Sequence, residues 1–186
     1  MNTADNRSFK DEQAHETPLS PRVPVKPGTN LKDIRQATDA VISPDGKWAA
    51  FVVWEWVPDK PKQRGRIWII ETAGGEARPF TSGPKADTCP RWSPDSRQIV
   101  FDSVKDGRSV IYTVNSDGGI PRLFVSDQWD NMMPSWSSNG RFIYFASRRE
   151  GNILRVWKKP VDGGAAVGGE RGEIVDEAQS SITLMA

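Results

Sequence analysis

The sequence has one cysteine, Cys89, and one histidine, His15, in 186 residues. A lone thiol excludes an internal disulfide framework and any cysteine-rich zinc site. A lone imidazole removes most histidine-based catalysts and metal centres. Neither charge sign dominates, with 25 Lys and Arg against 24 Asp and Glu. A nucleic-acid binder driven by counterion release needs clustered basic residues, so no nucleic-acid partner is expected. Long apolar runs are missing as well. Residues 1–30 contain no apolar stretch of even five residues, whereas a secretory leader needs about 7–15 and a membrane span about 20. The expectation is a cytoplasmic chain with no membrane partner, which a lone thiol also suits. What the sequence does have is eight Trp, 16 Gly and 14 Pro, the composition of short aromatic-rich strands separated by turns.

Residues 1–30 carry Pro18, Pro21, Pro24 and Pro27 among charged and polar neighbours. Such a segment buries too little apolar surface to offset its ordering entropy, and it reads as a flexible lead-in. Thr29 and Asn30 could cap a short helical turn carrying Leu31 and Ile34.

From Val41 the pattern repeats. Ile42-Ser43-Pro44-Asp45-Gly46, Trp92-Ser93-Pro94-Asp95-Ser96 and Trp136-Ser137-Ser138-Asn139-Gly140 align. Each is followed by an apolar run ending in Phe51, Phe101 or Phe145, then by a second run through Trp68, Tyr112 or Trp157. Each unit closes on a glycine pair, Gly74-Gly75, Gly118-Gly119 or Gly163-Gly164. From Gly74 to Ser93 and from Gly118 to Ser137 is 19 residues in both cases. From motif serine to glycine pair is 31 residues in the first unit but 25 and 26 in the others, because Trp54 to Gly65 forms a longer charged excursion. A repeat of about 40–45 residues is the length of a propeller blade.

The turn chemistry supports four strands per unit. In Ser-Pro-Asp-Gly the proline presets φ, and the glycine takes a positive φ. Ser96 stands at that glycine place and is expected to carry about 1 kcal/mol of strain. Cys89-Pro90 and Met133-Pro134 are expected at the start of a first strand, where proline is tolerated. The fold class predicted is all-β, a partial β-propeller of three four-stranded antiparallel blades over 31–167, at about 36–83, 86–126 and 130–167. An irregular tail, 168–186, is expected to follow. A fourth motif serine is due at position 182, where Ile182 stands.

These motifs resemble TolB-type, WD-like propeller repeats, with the pattern Pro-x-Trp-Ser-Pro-Asp-Gly, Ile-x-Phe-x-Ser and Ile-Tyr through to Gly-Gly, over residues 35–164. The first blade, with Leu31 to Ile34, Val41 to Phe51 and Trp68 to Phe101, is most similar to the opening of the propeller in prolyl-oligopeptidase-type serine peptidases, especially the acylaminoacyl-peptidase branch. The third blade is equally similar to TolB-type propellers of bacterial regulators. The peptidase resemblance implies a non-catalytic binding or gating module, since in that family the propeller restricts access to a hydrolase domain that these residues do not contain. The alternative is a TolB-like interaction scaffold without peptidase ancestry.

No Gly-x-Ser-x-Gly elbow occurs, so the chain is expected not to be an enzyme. Ser93 and Ser137 recur once per blade as turn residues. Asp45, Asp95 and Asn139 could gather a hard cation, but as members of turns that every blade needs they read as structural. No cofactor and no metal are expected. Lys60, Lys62, Arg64 and Arg66, with Arg148 and Arg149, read as solvated basic hairpins. Trp54, Trp56, Trp68, Trp92, Trp136 and Trp157 read mostly as core between blades. Trp129, on a polar connection, is the candidate ligand-facing aromatic, for a peptide or protein partner. Three blades leave two terminal faces, expected to expose large residues such as Trp48, Phe101 and Phe145. Self-association, or a C-terminal domain not present here, is expected to cover them.

Overall fold

A computed structural model of the chain describes residues 36–56, 63–149 and 153–168. The lead-in with His15, the capped turn at Thr29–Ile34, Lys60, Lys62 and the tail from 169 all lie outside the described residues.

Three four-stranded antiparallel sheets follow one another along the chain. The first blade is β1 (Gln36–Ile42), β2 (Trp48–Trp56), β3 (Gln63–Glu71) and β4 (Arg78–Pro79). The second is β5 (Asp87–Trp92), β6 (Gln98–Lys105), β7 (Arg108–Asn115) and β8 (Arg122–Val125). The third is β9 (Asn131–Trp136), β10 (Phe142–Ser147), β11 (Arg155–Pro160) and β12 (Val167–Gly168). Each is a simple meander, as a partial β-propeller requires. Among the described residues no helix is long and apolar enough to cross a membrane.

The first turn of each blade is the same small hydrogen-bonded device. Ser43, Ser93 and Ser137 donate their hydroxyls to Oδ1 of Asp45, Asp95 and Asn139 at 2.6, 2.6 and 2.9 Å. The same hydroxyl oxygens accept the main-chain N–H of Trp48, Gln98 and Phe142 at 3.0, 2.9 and 2.9 Å. Gly46 and Gly140 sit at φ 72° and 70°, and Ser96 at 60°. The serine is buried because its hydroxyl replaces the ladder partners that the turn residues lose.

Alternation along the second strand of each blade sets the sides. One apolar layer joins Ala50, Ile67 and Ile69 of the first blade to Trp92, Ile99 and Phe101 of the second. The next joins Val100, Ile111 and Val125 of the second to Trp136, Ile143 and Phe145 of the third. Phe101 and Phe145 therefore lie between blades, only 2% and 1% exposed, and not on terminal faces. Trp48 packs against the first layer. The terminal face of the first blade carries Ile42, 66% exposed, with Phe51 on the same side by alternation. Trp56, expected in the core, is an exposed strand end, and Trp54 is half-buried with its Nε1 donating to Thr38 Oγ1 at 2.9 Å.

Pro90 and Pro134 do not begin their strands. They lie inside β5 and β9, each at a register shift against the neighbouring strand. The missing N–H is tolerated there because a bulge interrupts the ladder on an edge strand.

Candidate functional site

The bulge recurs in the first strand of all three blades. Asp39, Cys89 and Met133, each four residues before its motif serine, adopt φ of 53°. A left-handed backbone costs a non-glycine residue about 1–2 kcal/mol, and such strain persists only where the surroundings hold it. Three strained residues at one repeat position, on the first strands of adjacent blades, make this strip the candidate site.

What holds the bulges is polar and crosses between blades. Arg91 of the second blade donates Nη1 to Asp39 Oδ1 of the first at 2.9 Å. Asp102 of the second blade accepts the Met133 N–H of the third at 2.9 Å, and its other oxygen accepts the Thr88 hydroxyl. Asp87, also buried, accepts the Ser103 hydroxyl at 2.6 Å. Burial pushes the carboxyls of both Asp102 and Asp87 upward, against the lowering effect of those hydrogen bonds. Burial also raises the Cys89 thiol to about 12, helped by the charges of Asp102 and Asp39. A thiol so held stays protonated near neutral pH and is a poor nucleophile.

Of the residues read as solvated basic hairpins, Arg64, Arg66 and Arg149 are largely withdrawn from solvent. Arg66 Nε lies 3.3 Å from Glu55 Oε2, with Arg64 on the same carboxylate at 3.9 Å, and the two side chains are only about a fifth exposed. Arg149 is tucked further in. Its guanidinium pairs with Asp127, reaches Asn131 Oδ1 at 3.3 Å, and lies over the rings of Phe145 and Trp157 at 5.2 and 5.0 Å. An arginine that lies over aromatic rings and pairs with a carboxylate is burying its charge, not presenting it. Arg148 stays exposed.

Trp129 lies on the connection between β8 and β9, half-buried. Its N–H donates to Asp127 Oδ1 and its carbonyl accepts Asn131 Nδ2, both at 3.0 Å. The loop that presents it is thereby tied to the Arg149 cluster. Asp45, Asp95 and Asn139 do not converge; each is committed to its own turn, and among the described residues no group of three acidic, histidine or cysteine side chains could hold a metal ion. The bulge strip itself was missed in the sequence. Its signal was there in Cys89-Pro90 and Met133-Pro134, a proline recurring three residues before the motif serine.

The accessible members of the strip are Asp39, Arg91 and the half-exposed Met133.

Three tandem meanders with one shared turn device define a β-propeller repeat protein. The profile of the TolB beta propeller domain (PD40) matches residues 28–167, and the chain belongs to that family. Over 78 residues it is 40% identical to the "Uncharacterized peptidase YuxL" of Bacillus subtilis strain 168, a match covering 42% of this chain and 12% of that protein. In fold it is similar to TolB from Acinetobacter baumannii, at a TM-score of 0.56 and 18% identity over 70% of this chain and 31% of that one. It is similar also to the acylaminoacyl peptidase of Pyrococcus horikoshii, at 0.59 and 14% over 76% and 26%. The matches thus span about an eighth of the curated relative and under a third of either solved chain.

Proposed function

We propose that these blades are a non-catalytic binding and gating element of a peptidase-type propeller, contacting peptide or protein through the bulge strip and the Trp129 loop. The similarity to a segment of a peptidase carries this reading. The chemistry of the site supports it. The motif serine hydroxyls bond to Asp or Asn of their own turns, which hold them in place without activating them, and Cys89 is kept protonated. Nucleophilic catalysis needs a base strong enough to take the proton, whereas the Asp45 and Asp95 carboxyls are held below their usual range and an Asn amide is no base. The same reading places the chain in the cytoplasm, where a lone free thiol is kept reduced.

The test is hydrolytic silence together with binding. Purified chain is expected to leave acylated amino-acid anilides and short peptides intact. Turnover that survives further purification and is stopped by a serine-directed reagent would overturn the reading. Peptide binding is expected to weaken in Trp129→Ala and Arg91→Ala; binding unchanged in both would remove the strip and the loop from the site.

A further inference from the structure

The residue that gives its N–H to each motif serine is Trp48, Gln98 or Phe142, at the start of the second strand of its blade. In the first blade Arg78 lies over the Trp48 ring, 5.8 Å from its centroid. In the third, Lys158 and Arg141 lie over the Phe142 ring at 5.4 and 6.0 Å. Two blades therefore fill this strand end with an aromatic ring under a cation, a favourable electrostatic pair.

The second blade keeps the cation and lacks the ring. Arg122 pairs with Thr113 as Arg78 pairs with Ile69, so the two arginines are equivalent. Gln98 stands at the ring's position. With Thr113, Asn115, Gly119, Ile120 and Arg122 it lines a cavity of about 400 Å³, within the roughly 300–1,000 Å³ of ligand pockets. Among the described residues no carboxylate pairs with Arg122. At the rim Ile120 is 91% exposed, and Leu123 of the edge strand β8 is 40% exposed. Glu76 and Ala165 follow the glycine pairs of the other blades, so the apolar rim belongs to the second blade alone.

We propose that this cavity binds an aromatic side chain of a partner polypeptide, its ring taking the place that Trp48 and Phe142 fill in the other blades. The guanidinium of Arg122 covers the ring face, as Arg78 covers Trp48. The rim favours a polypeptide over a free aromatic acid. Ile120 and Leu123 take apolar groups flanking the ring, and the amides of Gln98 and Asn115 can hydrogen-bond a peptide main chain. The site is separate from the Trp129 loop, because Arg122 begins β8 and Trp129 follows its far end.

The test titrates ¹⁵N-labelled full chain with acetyl-Gly-Trp-Gly-amide, acetyl-Gly-Leu-Gly-amide and indole-3-acetate. The tryptophan peptide is expected to move the Gln98, Thr113 and Ile120 amide signals saturably, with the leucine peptide about tenfold weaker. Arg122→Ala, at an exposed position, is expected to weaken binding about two- to fivefold, the worth of one exposed cation–π contact, and Arg122→Lys to restore it. Gln98→Trp, which keeps the N–H bond to Ser93 as Trp48 keeps its own to Ser43, is expected to fill the cavity and abolish binding. Circular dichroism reports whether that variant folds, and the Arg122 variants carry the test if it does not. Equal binding of the leucine and tryptophan peptides, or unchanged binding in Arg122→Ala or in folded Gln98→Trp, would overturn the proposal. Tighter binding of indole-3-acetate than of the peptide would overturn the polypeptide as occupant. Shifts confined to Trp129 and Met133 would overturn this site and leave the peptide contact at the bulge strip standing.

Discussion

Asp102 of the second blade accepts the main-chain N–H of Met133 in the third at 2.9 Å, at the residue where the third blade's first strand is bulged. The corresponding side chains in the other blades are Val52 and Ala146, so this carboxylate is particular to one interface. It couples the stability of that interface to pH.

Burial holds the Asp102 carboxyl above its ordinary value of 3.8. The folded chain then binds the proton more tightly than the unfolded one. The stabilising contribution of this group is full below about 3.8 and is lost as pH rises through the native value. Asp87 acts in the same direction. Asp102→Asn is expected to flatten that slope and to be at least as stable as wild type at neutral pH, because the amide oxygen still accepts a hydrogen bond. Asp102→Ala is expected to lose about 1–3 kcal/mol by leaving the partly buried Met133 N–H and Thr88 hydroxyl without their acceptor. Urea unfolding from about pH 4 to pH 8 checks both.

The first turns have the opposite sign. The serine hydroxyl, then the main-chain N–H two residues on, hold the Asp45 and Asp95 carboxyls below 3.8. Their contribution is present above that value and is lost as pH falls through the lower native one. Ser93→Ala removes the largest cause at Asp95. It is expected to raise that residue's titration by NMR and to cost about 1–2 kcal/mol, since Gln98 N–H loses its acceptor.

Ser96 combines strain with a contact. Its φ is 60°, and its Oγ accepts Asp45 N–H of the neighbouring blade's turn at 3.0 Å. Glycine there relieves about 1 kcal/mol of strain and forfeits an exposed hydrogen bond of similar worth. Ser96→Gly is therefore expected within about 0.5 kcal/mol of wild type, while β-branched Ser96→Val, which keeps the strain and loses the bond, is expected to cost about 2 kcal/mol. Equal loss in the two variants in denaturant titrations would show that strain is not a factor.

Arg149 is expected to resist conservative replacement. Its planar group serves Asp127, Asn131 and two ring faces together. Arg149→Ala is expected to cost about 2 kcal/mol, and Arg149→Lys to recover less than half of it, because a compact ammonium cannot lie over two rings and reach Asp127 and Asn131 at once. Thermal unfolding of the pair of variants measures this, and full recovery by lysine would reduce the role to net charge.

The repeat was open to reading in the sequence because its turn needs particular residues at fixed places. Ser43, Ser93 and Ser137 must bond to an Asx side chain two residues on, and Gly46 and Gly140 must reach a positive φ, so spacing and residue type carry the information locally. Strand number follows, since each short apolar run between such turns has room for one strand. The sidedness of Phe101 and Phe145, the burial of Arg149 and the bulges at Asp39, Cys89 and Met133 were decided by tertiary structure alone. Alternation says that neighbouring residues face opposite ways but not which way meets another blade. A guanidinium looks solvated until Asp127 and Trp157 are brought to it. A left-handed Cys89 is unfavourable as a dipeptide and is held only because Asp102 and Arg91 are fixed by the blades on either side.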